Sequence, residues 1–110
     1  MTANRRRGEV DVELDGKTYR LCLTLGALAE LEATYAADDL GALVERFSRG
    51  RLSALDIIRI VAAGLRGGGH DIADHEVGKL QTAGGVAGFA AIVAELLTAT
   101  FGAAGATTNP

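Results

Sequence analysis

The residue types best suited to metal chemistry occur together between positions 70 and 76. His70 and His75 lie among Asp71, Asp74 and Glu76, and imidazole and carboxylate groups are both metal ligands. Two histidines five positions apart across a loop do not match a zinc spacing, however, and no thiol lies near enough in sequence to help. We therefore expect no metal site and no bound cofactor.

A glycine run immediately before these residues raises the possibility of a phosphate site. The sequence GGGH at Gly67–His70 lacks the GK[ST] ending of a P-loop, and it follows a predicted helix instead of a strand. A glycine run in that position is typical of a helix stop followed by a loose joint. We expect it to have that role.

The sequence gives no better support for nucleophilic or acid–base catalysis than for a metal or phosphate site. Cys22 would need a histidine base that nothing in the sequence brings near it, while Ser48 and Ser53 are explained by a turn and a helix cap. Glu30 and Glu32 are two positions apart on a predicted helix, so their carboxylates diverge. The sequence therefore predicts a protein that is not an enzyme.

Length and composition predict one small folded domain. The chain has 110 residues, 48% of them hydrophobic, which suffices for a single core. It contains no Trp, three Phe, two Tyr and 15 Gly, so we expect a thin core of small side chains. The single cysteine excludes an intramolecular disulfide, and the basic start MTANRRRG has no apolar run behind it. We expect a cytoplasmic protein.

The charges fall in alternating blocks. Residues 21–45 carry five acids and no base, and residues 46–66 carry five arginines against one aspartate. A net charge of −3 and a pI near 5.3 argue against nucleic-acid binding, although the arginines of Arg5–Arg7 keep a small DNA-binding regulator as a less favoured alternative. Such blocks can also guide docking to a partner of mixed charge.

The first structured element is predicted to be a β-hairpin over residues 9–24. Asp15–Gly16 supplies a two-residue turn that accepts positive φ, and the flanking residues alternate between apolar and polar. This turn pairs Val12 with Tyr19. Because an isolated hairpin is barely stable in water, its apolar face must pack on helices.

The remainder of the chain has the periodicity of amphipathic helices. Thr24, then Asp38 or Asp39, and a capping box beginning at Ser53 mark three helix starts. Leu25 is expected on the apolar stripe of the first helix. The predicted helices cover residues 25–36, 40–48, 54–66, 74–81 and 86–101. They belong to a single predicted domain of residues 9–102, which lies between a flexible basic arm (1–8) and a disordered tail (103–110). The expected fold class is α+β, mainly α, with the hairpin packed on a bundle of four to five short helices.

The last predicted helix raises the question of a membrane span. Residues 84–102 contain only Glu95 as a charged residue, and Gly84 and Gly88 form a GxxxG pattern. Basic flanks and a Trp or Tyr belt are missing, so the pattern favours a core helix and no membrane association.

Two helices supply the predicted partner-binding surface. Apolar residues cover most of the circumference of helix 54–66, as expected for a helix that is central or that stays half exposed until a partner covers it. From periodicity alone, we expect the surface to consist of Ile57, Ile58, Val61 and Leu65 with Phe89, Ile92 and Leu96, and with Arg59 and Arg66 at its rim.

The order of these segments resembles a known family. The stretches EVDVELDG, LTLGALAELEATY, DDLGALVERF and LSALDIIRIVAAGLRGGGHDIADHEV together resemble the small tail-assembly proteins of gene transfer agents and related siphophage-like prophages, over about residues 8–101. The resemblance implies a non-enzymatic chaperone that binds the tape-measure protein, keeps its apolar helices soluble and helps recruit tail-tube subunits. A structural tail component, associated with the tube or the connector, is the alternative. A homo-oligomer is also possible.

Overall fold

The computed structural model describes residues 7–49 and 51–102. Within these ranges a two-stranded antiparallel hairpin precedes five helices, which confirms the predicted α+β, mainly α class. The predicted arm of residues 1–8 lies outside the described residues except for its last two positions, and the predicted tail 103–110 lies wholly outside them. The elements are β1 (Glu9–Leu14), β2 (Lys17–Cys22), α1 (Leu25–Tyr35), α2 (Leu40–Ser48), α3 (Ala54–Gly67), α4 (Asp74–Val77) and α5 (Gly85–Phe101).

The hairpin has the predicted register, with Val12 opposite Tyr19. Asp15 and Gly16 have φ values of 52° and 78°, so both central turn residues adopt the left-handed conformation that a tight hairpin requires. One face of the hairpin is buried in the hydrophobic core, including Val10, Val12, Leu14 and Leu21. The local turn chemistry thus determines which face of the hairpin meets the helices.

Side-chain caps begin the first two helices. The Thr24 hydroxyl accepts a hydrogen bond from the backbone N–H of Ala27 at 3.1 Å, and Asp39 accepts one from Ala42 at 2.8 Å. Asp39, and not Asp38, is therefore the cap of α2. The prediction that Leu25 lies on the apolar stripe of α1 is wrong: Leu25 is 80% exposed, because the buried face of the helix is formed by Ala27, Leu28 and Leu31 and Leu25 lies to the side of it.

Helix α3 lies at the centre of the molecule and contacts β2, α1, α4 and α5. Its residues from Ile60 to Leu65 are all buried. Ser53 and Asp56 form the predicted capping box at its start: the Ser53 hydroxyl accepts from the Asp56 N–H at 3.0 Å, and Asp56 accepts from the Ser53 N–H at 2.9 Å.

The glycine run ends α3 as expected, but it also makes a close backbone contact. A Cβ atom on Gly67 would lie 1.9 Å from the carbonyl oxygen of Cys22, and one on Gly68 would lie 1.9 Å from that of Arg20. The end of α3 can therefore approach the outer edge of β2 only because these positions lack side chains. The interpretation of the run as a loose joint missed this contact.

Helix α4 is shorter than predicted, ending at Val77 instead of residue 81. Gly78, a poor helix former, follows it. Gln81 is then held by the hairpin turn: its carbonyl accepts from the Asp15 N–H at 2.8 Å, and its N–H donates to Asp15 Oδ1 at 2.9 Å. Gln81 therefore bonds to the hairpin turn instead of extending α4.

Candidate partner-binding cleft

An apolar cleft opens between the first turns of α3, the end of α4 and the first turn of α5. Its volume is about 580 Å³, within the range of ligand pockets in proteins. The lining residues are Leu52, Ala54, Ile57, Ile58, Val77, Gly78, Leu80, Gln81, Thr82, Gly85, Val86 and Phe89. Most of this lining is aliphatic or aromatic, so the cleft is suited to apolar side chains and not to a polar metabolite.

Large hydrophobic residues are exposed around this cleft. Val86 at its mouth is 79% exposed, and Leu55 on the adjoining turn of α3 is 49% exposed. Ile58 and Phe89 are half-buried in the lining. Exposed apolar residues grouped around a concavity are typical of interaction sites, whereas single exposed residues are ordinary.

A buried polar network supports the α3 wall from behind. Asp56, only 2% exposed, accepts a hydrogen bond from the Tyr35 hydroxyl at 2.5 Å and lies 3.4 Å from Nη2 of Arg46. The Tyr35 ring packs edge-on against Phe47, with a centroid distance of 5.3 Å. The network joins α1, α2 and α3 and fixes the helix that carries Ile57 and Ile58.

The ionisation of Asp56 depends on this network. Burial acts to raise the pKa of Asp56, but hydrogen bonds from Tyr35 and Ser53, together with the charge of Arg46, outweigh it and lower the pKa below its usual value. Burial and the bond to Asp56 raise the pKa of the Tyr35 phenol. The pair is thus a charged acceptor and a neutral donor at neutral pH.

The candidate chemical groups are not assembled into a reactive site. No cluster of three or more His, Cys, Asp or Glu suited to a metal ion is present in the described part of the chain. The His70 ring packs edge-on against Tyr19 at 5.0 Å. Burial, followed by the charge of Glu9, raises the pKa of the Cys22 thiol, the opposite of what an activated nucleophile needs.

A family comparison agrees with this arrangement. The family model described as "Phage tail tube protein, GTA-gp10" matches residues 7–103. The chain belongs to this family. The membership confirms the resemblance to gene transfer agent proteins and gives the chain a structural role related to a phage tail. No curated protein and no solved structure matches the chain.

The family is one of structural tail proteins and not a class of enzymes. Within the described ranges, none of the helices of this GTA-gp10 family protein has the length and apolar character needed to cross a bilayer.

The structure separates the nine residues predicted for partner binding into three groups. Ile57, Ile58 and Phe89 line the cleft. Four others point into the hydrophobic core and offer no side-chain surface to a partner: Val61, Leu65, Ile92 and Leu96. Periodicity marked them correctly as apolar positions, but it could not show which neighbours already cover them: β2, α1 and α5 pack on α3, and α3 and β1 pack on α5. The surface we consider below is therefore narrower than the one predicted.

The two predicted rim arginines are engaged within the protein. The Arg59 guanidinium lies 5.4 Å from the centre of the Tyr35 ring. Arg66 donates to the Ile72 carbonyl at 2.9 Å and to Asp74 at 3.0 Å, and it pairs with the carboxylate of Glu30. The hydrogen bond to Glu30 is the main cause of the raised pKa of Arg66. Arg66 therefore connects α1, α3 and the start of α4.

Several cleft residues were not predicted from the sequence. Leu52 immediately precedes the Ser53 cap, and Ile57 is the fourth residue of α3, so their positions match a hydrophobic staple, and both line the cleft. Ile57 is in the predicted surface, and the capping box was a sufficient signal to add Leu52 to it. The sequence places Leu80 in a predicted helix over residues 74–81, whereas in the structure it follows α4 and lines the cleft.

Proposed function

We propose that this GTA-gp10 family protein is a tail-assembly chaperone that acts in the cytoplasm and binds an apolar helix of the tape-measure protein in the α3–α4–α5 cleft. The observation that supports this most directly is the cleft itself, which is apolar, concave and open to solvent. A chaperone for long apolar helices needs such a surface, because an amphipathic helix binds by placing its apolar face in a hydrophobic groove.

The construction of the cleft also supports binding of a helix. Its walls come from three helices, and the buried Asp56–Tyr35 bond holds the α3 wall in place. A wall that is already ordered loses little conformational entropy when a partner binds. Val86 and Leu55, which are poorly covered in the free protein, would gain burial from an occupant.

The test is co-expression with the tape-measure protein of the same gene cluster, followed by pull-down and light scattering. We expect the tape-measure protein to stay soluble and to co-purify. Val86→Glu should weaken this association about five-fold or more, because it places a charge at the mouth of the cleft. Leu25→Glu is the matched control, since Leu25 is equally exposed but lies on α1, outside the cleft.

Each result has a clear meaning. If both variants lose co-purification with the tape-measure protein equally, or if neither loses it, the cleft is not the binding site. A tape-measure protein that aggregates regardless of the co-expressed chain would overturn the chaperone function. Circular dichroism and thermal unfolding of both variants check that the fold is retained.

A structural subunit of the tail is the second candidate, and the description of the family as a tail tube protein favours it. The two functions differ in the finished particle. Quantitative mass spectrometry of purified particles should find a tube or connector subunit at a fixed copy number, whereas a chaperone should be depleted. Detection at the copy number of the tube would replace the chaperone proposal with the structural one.

A further inference from the structure

Two basic residues lie beside the lining of the cleft. Arg51 immediately precedes Leu52 on the α3 side, and Lys79 lies between Gly78 and Leu80 on the α4 side. Both are exposed, and neither forms an ion pair with any other residue that the structure describes. The Arg51 guanidinium and the Lys79 ammonium group are therefore available to a ligand.

The first turn of α5 adds a third positive feature. Gly85 and Val86 line the cleft, and the N-cap of this 17-residue helix is Gly84. In the described part of the chain no side chain caps this end, and its first turn contains no acidic residue. The N-terminus of a helix carries a partial positive charge of about half a unit. The helix dipole and the two exposed cations that adjoin the lining in sequence both favour negative charge near the cleft.

Three of the carboxylates near the cleft have partners within the protein. Glu76 accepts a hydrogen bond from the Ala73 N–H at 2.9 Å, and Asp15 accepts one from the Gln81 N–H at 2.9 Å. Asp74 pairs with Arg66. These contacts keep the three carboxylates on internal partners, and none of the three forms an ion pair with Arg51 or Lys79.

We infer that the cleft selects an acidic amphipathic helix, one whose apolar face is flanked by glutamate or aspartate side chains. This inference rests on the proposed function, since it specifies the occupant of the same cleft. It also opposes the net charge of the whole protein, which is −3 and would by itself attract a basic peptide. A measured preference for an acidic helix would therefore show that the charges near the cleft, and not the net charge of the protein, determine the choice of peptide.

The experiment compares two fluorescein-labelled peptides of about 18 residues, or about five helical turns. They have the same leucine face and carry either glutamate or lysine at the flanking positions. Fluorescence anisotropy with the full chain measures both dissociation constants at about 50 mM and about 500 mM salt. We expect the glutamate peptide to bind about five-fold tighter at low salt, with a smaller difference at high salt.

Charge-reversal variants locate the effect. Arg51→Glu and Lys79→Glu should each reduce the preference for the glutamate peptide. Arg7→Glu is the control with the same change in charge. Arg7 adjoins Gly8, which lies beside Ala99 near the far end of α5. The 13 residue steps of α5 from Val86, at the mouth of the cleft, to Ala99 span about 20 Å, which exceeds the screening length of about 14 Å at about 50 mM salt.

The outcomes separate this inference from the proposed function. Equal affinity for the two peptides, a preference for the lysine peptide, or an equal effect of all three variants overturns the charge preference and leaves the cleft as a helix site. Binding of neither peptide overturns the inference as well. In that case, co-purification with the tape-measure protein still decides the proposed function independently.

Discussion

The two halves of α3 have different surroundings, although they belong to one continuous helix. The second half, from Ile60 to Gly67, is enclosed by the hairpin and by neighbouring helices, and its end contacts strand backbone directly. The first half is anchored on one side by Asp56 and leaves Ile57 and Ile58 half-covered on the other. One helix can thus be part of the core at one end and a wall of an open cleft at the other, because the buried end holds the exposed end in position.

The largest expected difference between the two halves of α3 is in the free energy of unfolding when one isoleucine in each half is replaced by alanine. Ile60 is fully buried, so Ile60→Ala should lower the free energy of unfolding by about 3–4 kcal/mol. Ile58→Ala should cost only about 1 kcal/mol, because the Ile58 side chain is already partly in water. Urea titration measures both. Equal losses would mean that the first half of α3 is as much a part of the core as the second.

The contact between α3 and β2 gives the next largest effect. Gly67→Ala places a Cβ against the Cys22 carbonyl, so the helix end must move, at a cost of about 2–3 kcal/mol. Gly26→Ala is the control, since its Cβ would meet Thr24 Oγ1 at an ordinary 3.8 Å and alanine favours the helix. A Gly67→Ala protein as stable as Gly26→Ala would show that the end of α3 can shift freely.

The polar anchor of the first half should give the smallest effect. Asp56→Asn should cost about 1–2 kcal/mol at neutral pH, because the amide replaces a charged acceptor. The pKa of Asp56 is lowered on folding, so its stabilisation is complete above the ordinary pKa of an aspartate and is lost as the pH falls through the folded value. The variant should therefore lose less stability in acid than the natural protein. Asp38→Asn, at an exposed carboxylate outside this network, is the control, and urea titrations at neutral and at acidic pH measure the stability of both variants.

The features that could be predicted from the sequence depend on neighbours within a few positions. The Asp15–Gly16 turn determines the hairpin register, and the capping residues Thr24 and Ser53 determine where α1 and α3 begin. These signals are local, because a turn or cap is formed by residues no more than a few positions apart.

The features that could not be predicted join distant parts of the chain. Gln81 bonds to Asp15 across 66 positions, and this contact ends the helical region early and exposes Leu80 to the cleft. The contact between Gly67 and Cys22 likewise depends on how α3 and β2 are placed. Periodicity identified Val61 and Leu96 as apolar without showing that other elements cover them.

The position of Gly8 beside Ala99 has a consequence for the connectivity of the molecule. The start of β1 adjoins the last turns of α5, so the described chain nearly closes on itself. A short linker between these ends would give a circular permutant with little loss of packing. The cleft lies at the opposite end of α5, beside Gly85 and Val86. A tether attached at Gly8 or at the end of α5 would therefore start far from the mouth of the cleft.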